Sequence, residues 1–304
     1  MAENQERPEI FDEAGMPRRR ARALRLGFRG GADFLIREVA QLVIERLAEV
    51  KRDFRDAAVV DGGAGVIPGA LVGAGVGHVA LAEPFPAAVP QPNVEARPWS
   101  SVLAFEPGAH DLAVSAMVMH GLNDPVGHLV QLRHALRPDG LMIAALFGGQ
   151  SLAELRASLA EAEAELTGTL AARVAPMGEI RDLGALIQRA GFAMPVADTE
   201  RFTVTYETPL HLMRELRAMG ESGILRDRRP LRRDVLARAC QLYAQHFPTP
   251  DGRVQATFEI VFLTGWAPGP GQPKAKRPGS AAVRLADALG TTEHKAGEKA
   301  PGSG

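Results

Sequence analysis

Cysteine is almost absent from this chain of 304 residues, where Cys240 stands alone. No intramolecular disulfide and no cysteine-rich zinc site can therefore form, which fits a reducing compartment. Long apolar runs are lacking as well: no stretch reaches the ~20 consecutive apolar residues that a membrane-spanning helix requires. Charge of one sign is also lacking. The formal net charge is −1, and only two Trp and two Tyr are present. Nucleic-acid binding draws on a positive field and on aromatic side chains for bases to stack upon, so no nucleic-acid partner is expected. The opening residues Met1-Ala2-Glu3-Asn4-Gln5-Glu6 are too polar and acidic for a secretory signal or a mitochondrial presequence. Together these features predict a cytoplasmic protein of bacterial type without a membrane span.

What the chain does have is a strand that ends in an acid and runs straight into glycines, Val59-Val60-Asp61-Gly62-Gly63-Ala64-Gly65. A second short apolar strand, Val79-Ala80-Leu81-Ala82, ends at Glu83. Two acids ~20 residues apart thus fall at the carboxyl ends of neighbouring strands, where open α/β sheets bind nucleotides. Glycine lets the backbone turn sharply and approach a ligand, and Glu83 can accept hydrogen bonds from two ribose hydroxyls. An acid ahead of the glycines suits a ligand with an ammonium group and no pyrophosphate, which favours S-adenosylmethionine over NAD. A dinucleotide fingerprint needs a small residue at the end of Gly63-Ala64-Gly65-Val66-Ile67-Pro68, and proline stands there. A tight strand-to-helix turn without a ligand is the alternative reading of the same glycines.

Apolar spacing organises the rest. Residues 1–31 are basic, with Arg18, Arg19, Arg20, Arg22, Arg25 and Arg29 in one run, and a second arginine cluster falls in 226–233. Such runs are read as solvated faces, or as docking sites for an acidic protein. A helix is predicted over 32–50 and strands over 57–61, 78–82, 111–117 and 141–146, with helical or loop segments between them. That alternation predicts a parallel, doubly wound α/β sheet. Further helices are predicted over 151–166, 179–190, 210–219 and 232–246. Two β-rich runs cover 201–206 and 257–266, the second expected to close a sheet edge. The domain reading is a basic segment at 1–31 and an α/β domain at 32–266 with a helical lid or insertion around 207–250. A Pro/Gly/Lys-rich tail at 267–304 is expected to be disordered.

The strand over 111–117 would deliver Ser115 and His120 to the carboxyl-end crevice. His120 and Asp124 stand four residues apart, the relation of two metal ligands on a helix. No second histidine is placed by the sequence, so no metal is assigned, and a histidine bonded into the strand-end loop is the simpler account. Leu136-Arg137-Pro138-Asp139-Gly140 reads as the turn into the next strand.

In order and spacing these motifs resemble those of class I methyltransferases, a Rossmann-like doubly wound fold. The string Leu146-Phe147-Gly148-Gly149-Gln150-Ser151-Leu152-Ala153-Glu154-Leu155-Arg156 narrows the resemblance. With Ile10-Phe11-Asp12, Met219-Gly220-Glu221-Ser222 and the run from Ala256 to Trp266, it is similar to the methyltransferase-like assembly factors of respiratory complex I. The likeness spans residues 9–266. It implies a protein substrate, a complex I subunit, modified by methyl transfer or by arginine hydroxylation. It also implies S-adenosylmethionine as cofactor, with Asp61 facing the ammonium, Gly63 and Gly65 the cofactor backbone, Glu83 the ribose and Ser115 the crevice. The catalytic group is left open between His120, Asp124 and neither. Gly148-Gly149 is either an approach for substrate or a strand-to-helix turn.

Three departures from that family pattern stand out. The third glycine of the loop is Ile67, the segment 98–105 carries no acid for the adenine amine, and a His-Trp pair is His120-Gly121. Each lost charge-assisted hydrogen bond costs about 1.5 to 3 kcal/mol, roughly tenfold to a hundredfold in affinity. A cofactor-free assembly chaperone that keeps the fold is therefore the rival reading. Asp61 and Glu83 favour the enzyme, and the altered loop favours the chaperone.

Overall fold

The computed structural model describes residues 9–85, 91–272 and 290. Most of the predicted tail, 273–289 and 291–304, lies outside the described residues. One compact unit falls within Met1–Gly269, and its centre is a seven-stranded sheet in the order β3-β2-β1-β4-β5-β7-β6. β1 (Asp56–Val60), β2 (His78–Ala82), β3 (Val94–Arg97), β4 (His110–Ala116) and β5 (Leu136–Phe147) run parallel. β1, β2 and β4 are apolar without alternation because helices cover both faces of a parallel sheet. Asp111 ties two strands together at their amino ends, accepting hydrogen bonds from the backbone of Arg55 and Asp56. The strand order reverses between β1 and β4, and crevices for ligands open at such switch points.

The last two strands depart from the sequence reading. β6 (Ala193–Tyr206) and β7 (Val254–Trp266) form a long antiparallel pair, and β7 also pairs antiparallel with β5. The sheet is thus mixed, and β7 lies inside it, not at its edge. Ile260-Val261-Phe262-Leu263 is fully buried, as expected of a strand covered on both faces. β6 takes the edge instead, and exposed polar residues along it protect the open ladder. Its first half, interrupted by Pro195 and without alternation in burial, and β3, four residues of which two are charged, were not legible as strands.

Helices α2 (Phe34–Glu49) and α3 (Val66–Gly73) pack together, α4 (Pro125–Ala135) lies against β4 and β5, and α6 (Ile180–Arg189) covers β6 and β7. Asp124 caps α4 by accepting from the Gly127 amide, with Pro125 in the first turn, a strong start signal. α5 (Ala153–Thr167) packs on α8 (Arg233–His246), and α7 (Pro209–Met219) packs on α1 (Met16–Arg25). The basic segment therefore does not form a solvated face throughout: Arg19 and Arg20 of α1 are each 6% exposed. Ala267 is buried as well, its backbone bonded to Gly140 and Asp139. Among the described residues no helix is long and apolar enough to cross a membrane.

Candidate functional site

The chain leaves β1 at Asp61 and enters α3 through Gly62, Gly63, Ala64 and Gly65. Asp61 and Ala64 have left-handed backbone, with φ of 53° and 55°, and Met117 at the end of β4 has φ of 54°. A residue with a Cβ pays roughly 1–2 kcal/mol there, and such positions gather at functional sites. Gly62 explains the proline that spoils the dinucleotide fingerprint. A Cβ at Gly62 would lie 2.8 Å from Cδ of Pro68, so glycine and proline are packed as a pair. Gly63, at φ 59°, faces Ile36 of α2, whose Cγ1 would be 2.5 Å from a Cβ. Gln91 covers Gly65, donating to its carbonyl oxygen at 3.1 Å. Glu83 at the end of β2 accepts from the amide of Ala64 at 2.5 Å. Asp61, Gly63, Gly65 and Glu83 are thus brought to one place, and protein side chains already pack against the glycines.

The deepest feature is the guanidinium of Arg20. Its Nε and Nη2 donate to Oδ2 of Asp61 at 3.1 and 2.8 Å, and Nη2 also donates to the carbonyl of Met117 at 3.0 Å. Nη1 donates to Oε1 of Glu221 at 2.7 Å and to the carbonyl of Met219 at 2.9 Å. The Phe85 ring lies 5.4 Å away on a cation–π approach. All five guanidinium N–H groups therefore have an acceptor. Glu221 holds a second partner, since its Oε2 is 2.9 Å from Nε2 of His120. The His120 ring stands edge-on to Phe147, and its Nδ1 is buried with no hydrogen-bond partner.

Charge explains why this cluster survives burial. Burial pushes the Asp61 carboxyl up and the Arg20 cation pulls it back, with the net direction upward. Burial also works against ionised Glu221, but Arg20 and His120 outweigh it and hold the carboxyl at about 2. Burial opposes the Arg20 cation, and Asp61 and Glu221 more than offset this, raising it above its ordinary value. Two carboxylates thus share one fixed cation. The space left beside them, walled by Phe28, Phe85, Met117 and Phe147, is a cavity of about 30 Å³.

The other expected residues are placed differently. Ser115 is fully buried and does not line this cavity. Its Oγ is 2.9 Å from Nε2 of His128 on α4, because alternation along β4 turns it away from the crevice. His120 and Asp124 are not joined: one engages Glu221, the other caps α4. Among the described residues no group of three or more His, Cys, Asp or Glu is placed to hold a metal. Gly148-Gly149 is a strand-to-helix turn. Gly148 donates to the Glu259 carbonyl at 2.8 Å, and a Cβ on it would meet Val261 at 2.7 Å. Ser151 Oγ donates to the Glu259 carbonyl and accepts from its amide, while Glu154 accepts from the amide and hydroxyl of Thr257. The recognisable string therefore docks α5 onto β7. In the segment that lacks an acid, Gln131 braces the loop through Leu103 and Ser101.

The sequence reading missed Arg20 as a site residue, since nothing in its spacing sets it apart from Arg18, Arg22 or Arg25. It also missed His128. Glu221 was visible only as part of Met219-Gly220-Glu221-Ser222.

No family model matches the chain. Its fold matches solved structures, among them a protein of Bacillus halodurans described as a methyltransferase, with a TM-score of 0.52 at 13% identity over 75% of this chain and 98% of that one. The YcgJ protein of Bacillus subtilis gives the same TM-score at 12% identity, over 75% of this chain and 97% of that one. At such identities the likeness shows the fold alone, that of a class I methyltransferase. Sequence relatives reach further. The malonyl-[acyl-carrier protein] O-methyltransferase of Halorhodospira halophila is 34% identical over 55% of each chain. The mitochondrial arginine-hydroxylase NDUFAF5 of Danio rerio is 34% identical over 285 residues, 91% of this chain and 89% of that one. Its Homo sapiens counterpart is also 34% identical, over 84% of this chain and 76% of its own. The chain therefore belongs to the NDUFAF5 arginine-hydroxylase family, on a methyltransferase fold.

Proposed function

We propose that this protein modifies an arginine side chain of a protein subunit during assembly of respiratory complex I, and that it acts in the cytoplasm of a bacterium. The observation that carries the reading is the match along 91% of the chain to relatives named as arginine-hydroxylases. The crevice supports it. An apolar groove of about 320 Å³, walled by Leu155, Leu159, Met177, Met213 and Leu216, meets the crevice at Phe147 and Glu221. The aliphatic stem of an arginine suits the apolar walls, while its guanidinium would compete for Glu221 with Arg20 and His120, in a groove that Arg173, Arg228 and Arg229 also line.

S-adenosylmethionine is the ligand proposed for the crevice. The donor set fits it: Asp61 for the ammonium, the backbone at Gly63 and Gly65 for close approach, and Glu83 for the ribose hydroxyls. The room beside Asp61 and Gly63 does not fit it as arranged, since that cavity is about 30 Å³ whereas ligand pockets run to roughly 300 Å³ or more, and the space of about 640 Å³ at Gly65 and Gln91 is a separate one. Arg20, Ile36 and Gln91 fill the difference, so binding requires side chains to move. When bound, the cofactor would supply an electrophilic methyl group. The protein's own part is to orient the ligand and exclude water.

Deleting the gene tests the reading. Assembled complex I should fall, and one arginine-containing peptide should lose a mass increment of about 16 Da for hydroxylation or about 14 Da for methylation. An unchanged subunit proteome with normal complex I would exclude the target. A second reading, a cofactor-free assembly chaperone, is favoured by the packed glycine loop. Complementation with Glu83→Ala separates the two, because a chaperone still supports assembly and a cofactor-dependent enzyme does not.

A further inference from the structure

Arg20 and the ammonium group of a ligand need the same oxygen of Asp61. That oxygen already accepts two hydrogen bonds from the guanidinium, and the other receives the Gly63 amide at 3.2 Å. We propose that Asp61, Glu221 and the carbonyls of Met117 and Met219 form a receptor for one organic cation, that Arg20 fills this receptor in cis, and that a ligand bearing an α-ammonium group enters only as Arg20 leaves Asp61. The identity of that ligand rests on the cofactor reading above, whereas the receptor does not.

Three features carry the inference. The acceptors are complete for a guanidinium: two carboxylates and two carbonyls meet all five N–H groups, with an aromatic ring beside the plane. The charge requires an occupant. Moving the cation off Asp61 leaves that buried carboxylate uncompensated, which is unfavourable. A ligand that brings an ammonium restores the balance, and a neutral or anionic one does not. The arrangement can also divide. Nη1 is held by Glu221 and the Met219 carbonyl without help from Asp61, and His120 fixes the far oxygen of Glu221. Arg20 can therefore surrender Asp61 and remain anchored beside α7. α1, which carries it, is joined to α2 through Gly27 and Gly31, both at positive φ, where a Cβ would meet nothing within 4 Å. Glycines in open space between two helices can absorb a change of backbone angle as a hinge does.

The test uses two variants of the full chain. Arg20→Ala empties the receptor, and methylguanidinium at millimolar concentration should then raise its melting temperature by about 4 °C or more while leaving the wild type unmoved. Arg20→Lys keeps a cation on α1 but lacks the planar fork that bridges both carboxylates, and it gives a second measurement if the alanine variant does not fold. In calorimetry S-adenosylmethionine should bind both variants about tenfold or more tighter than the wild type, because the cost of displacing Arg20 is reduced. Unchanged or weaker binding in both would overturn the competition and make Arg20 a contact for the ligand. No stabilisation of Arg20→Ala by methylguanidinium would overturn the receptor. If no chain binds S-adenosylmethionine while methylguanidinium still stabilises Arg20→Ala, the receptor stands and the cofactor reading falls.

Discussion

His128 is a single buried side chain that ties the stability of this fold to pH. It is buried on α4 against Ser115, and burial disfavours its cation, pulling it down to about 4. An unfolded histidine titrates near 6.5. The folded chain therefore binds fewer protons there than the unfolded chain between these two values. Its contribution is complete above pH 6.5 and is lost as pH falls toward 4, amounting to about 3 kcal/mol. Glu221, held at about 2, acts in the same direction but over a lower window, from its ordinary 4.5 downward. Urea unfolding of the wild type should accordingly weaken between pH 6.5 and 4.5, and His128→Gln should flatten that slope. A slope unchanged by the substitution would place the acid sensitivity elsewhere. At this scale the sequence marked Asp61 and Glu83 through their position at strand ends. Arg20 and His128 carry no such mark, because burial of an arginine or a histidine depends on what packs over it.

The docking of α5 on β7 belongs to the scale of elements. Residues more than 100 positions apart meet where Ser151 brackets the backbone of Glu259 and Glu154 takes the amide and hydroxyl of Thr257. Removing Ser151 Oγ leaves a buried amide and a buried carbonyl of an interior strand each without one partner. Ser151→Ala should therefore destabilise the fold by about 1–3 kcal/mol, read as a lower denaturation midpoint with an unchanged slope. A neutral result would mean that water takes over the hydroxyl's bonds. Most helices were readable at this scale, since α2, α5, α7 and α8 each carry apolar residues at helical spacing. The position of β7 was not. A continuous apolar run is compatible with several places in a sheet, and only the partners β5 and β6 put it inside.

For the whole molecule, one compact unit ends at Gly269. Ala267 is bonded into the start of β5, so a cut before it would disturb the sheet. A chain ended after Gly269 should unfold cooperatively with a melting temperature within about 2 °C of the full chain, a shift that corresponds to roughly 1 kcal/mol for a domain of this size. A larger fall would show that residues beyond 269 support the fold.

By itself the sequence determined the α/β succession, the two acids at adjacent strand ends, and the family, through strings spread from Ile10 to Trp266. These are local or ordered signals: periodicity records burial, and a strand end followed by glycines records a turn. Tertiary structure alone decided that Arg20 lies on Asp61, that Glu221 and His120 complete its surroundings, that Ser115 faces α4, and that Gly148 and Ser151 serve packing on β7. Each of these depends on which distant side chain fills a given space. Charge balance across 41 and 201 residues of separation follows from the folded arrangement of α1, β1 and the end of α7, and no spacing along the chain encodes it.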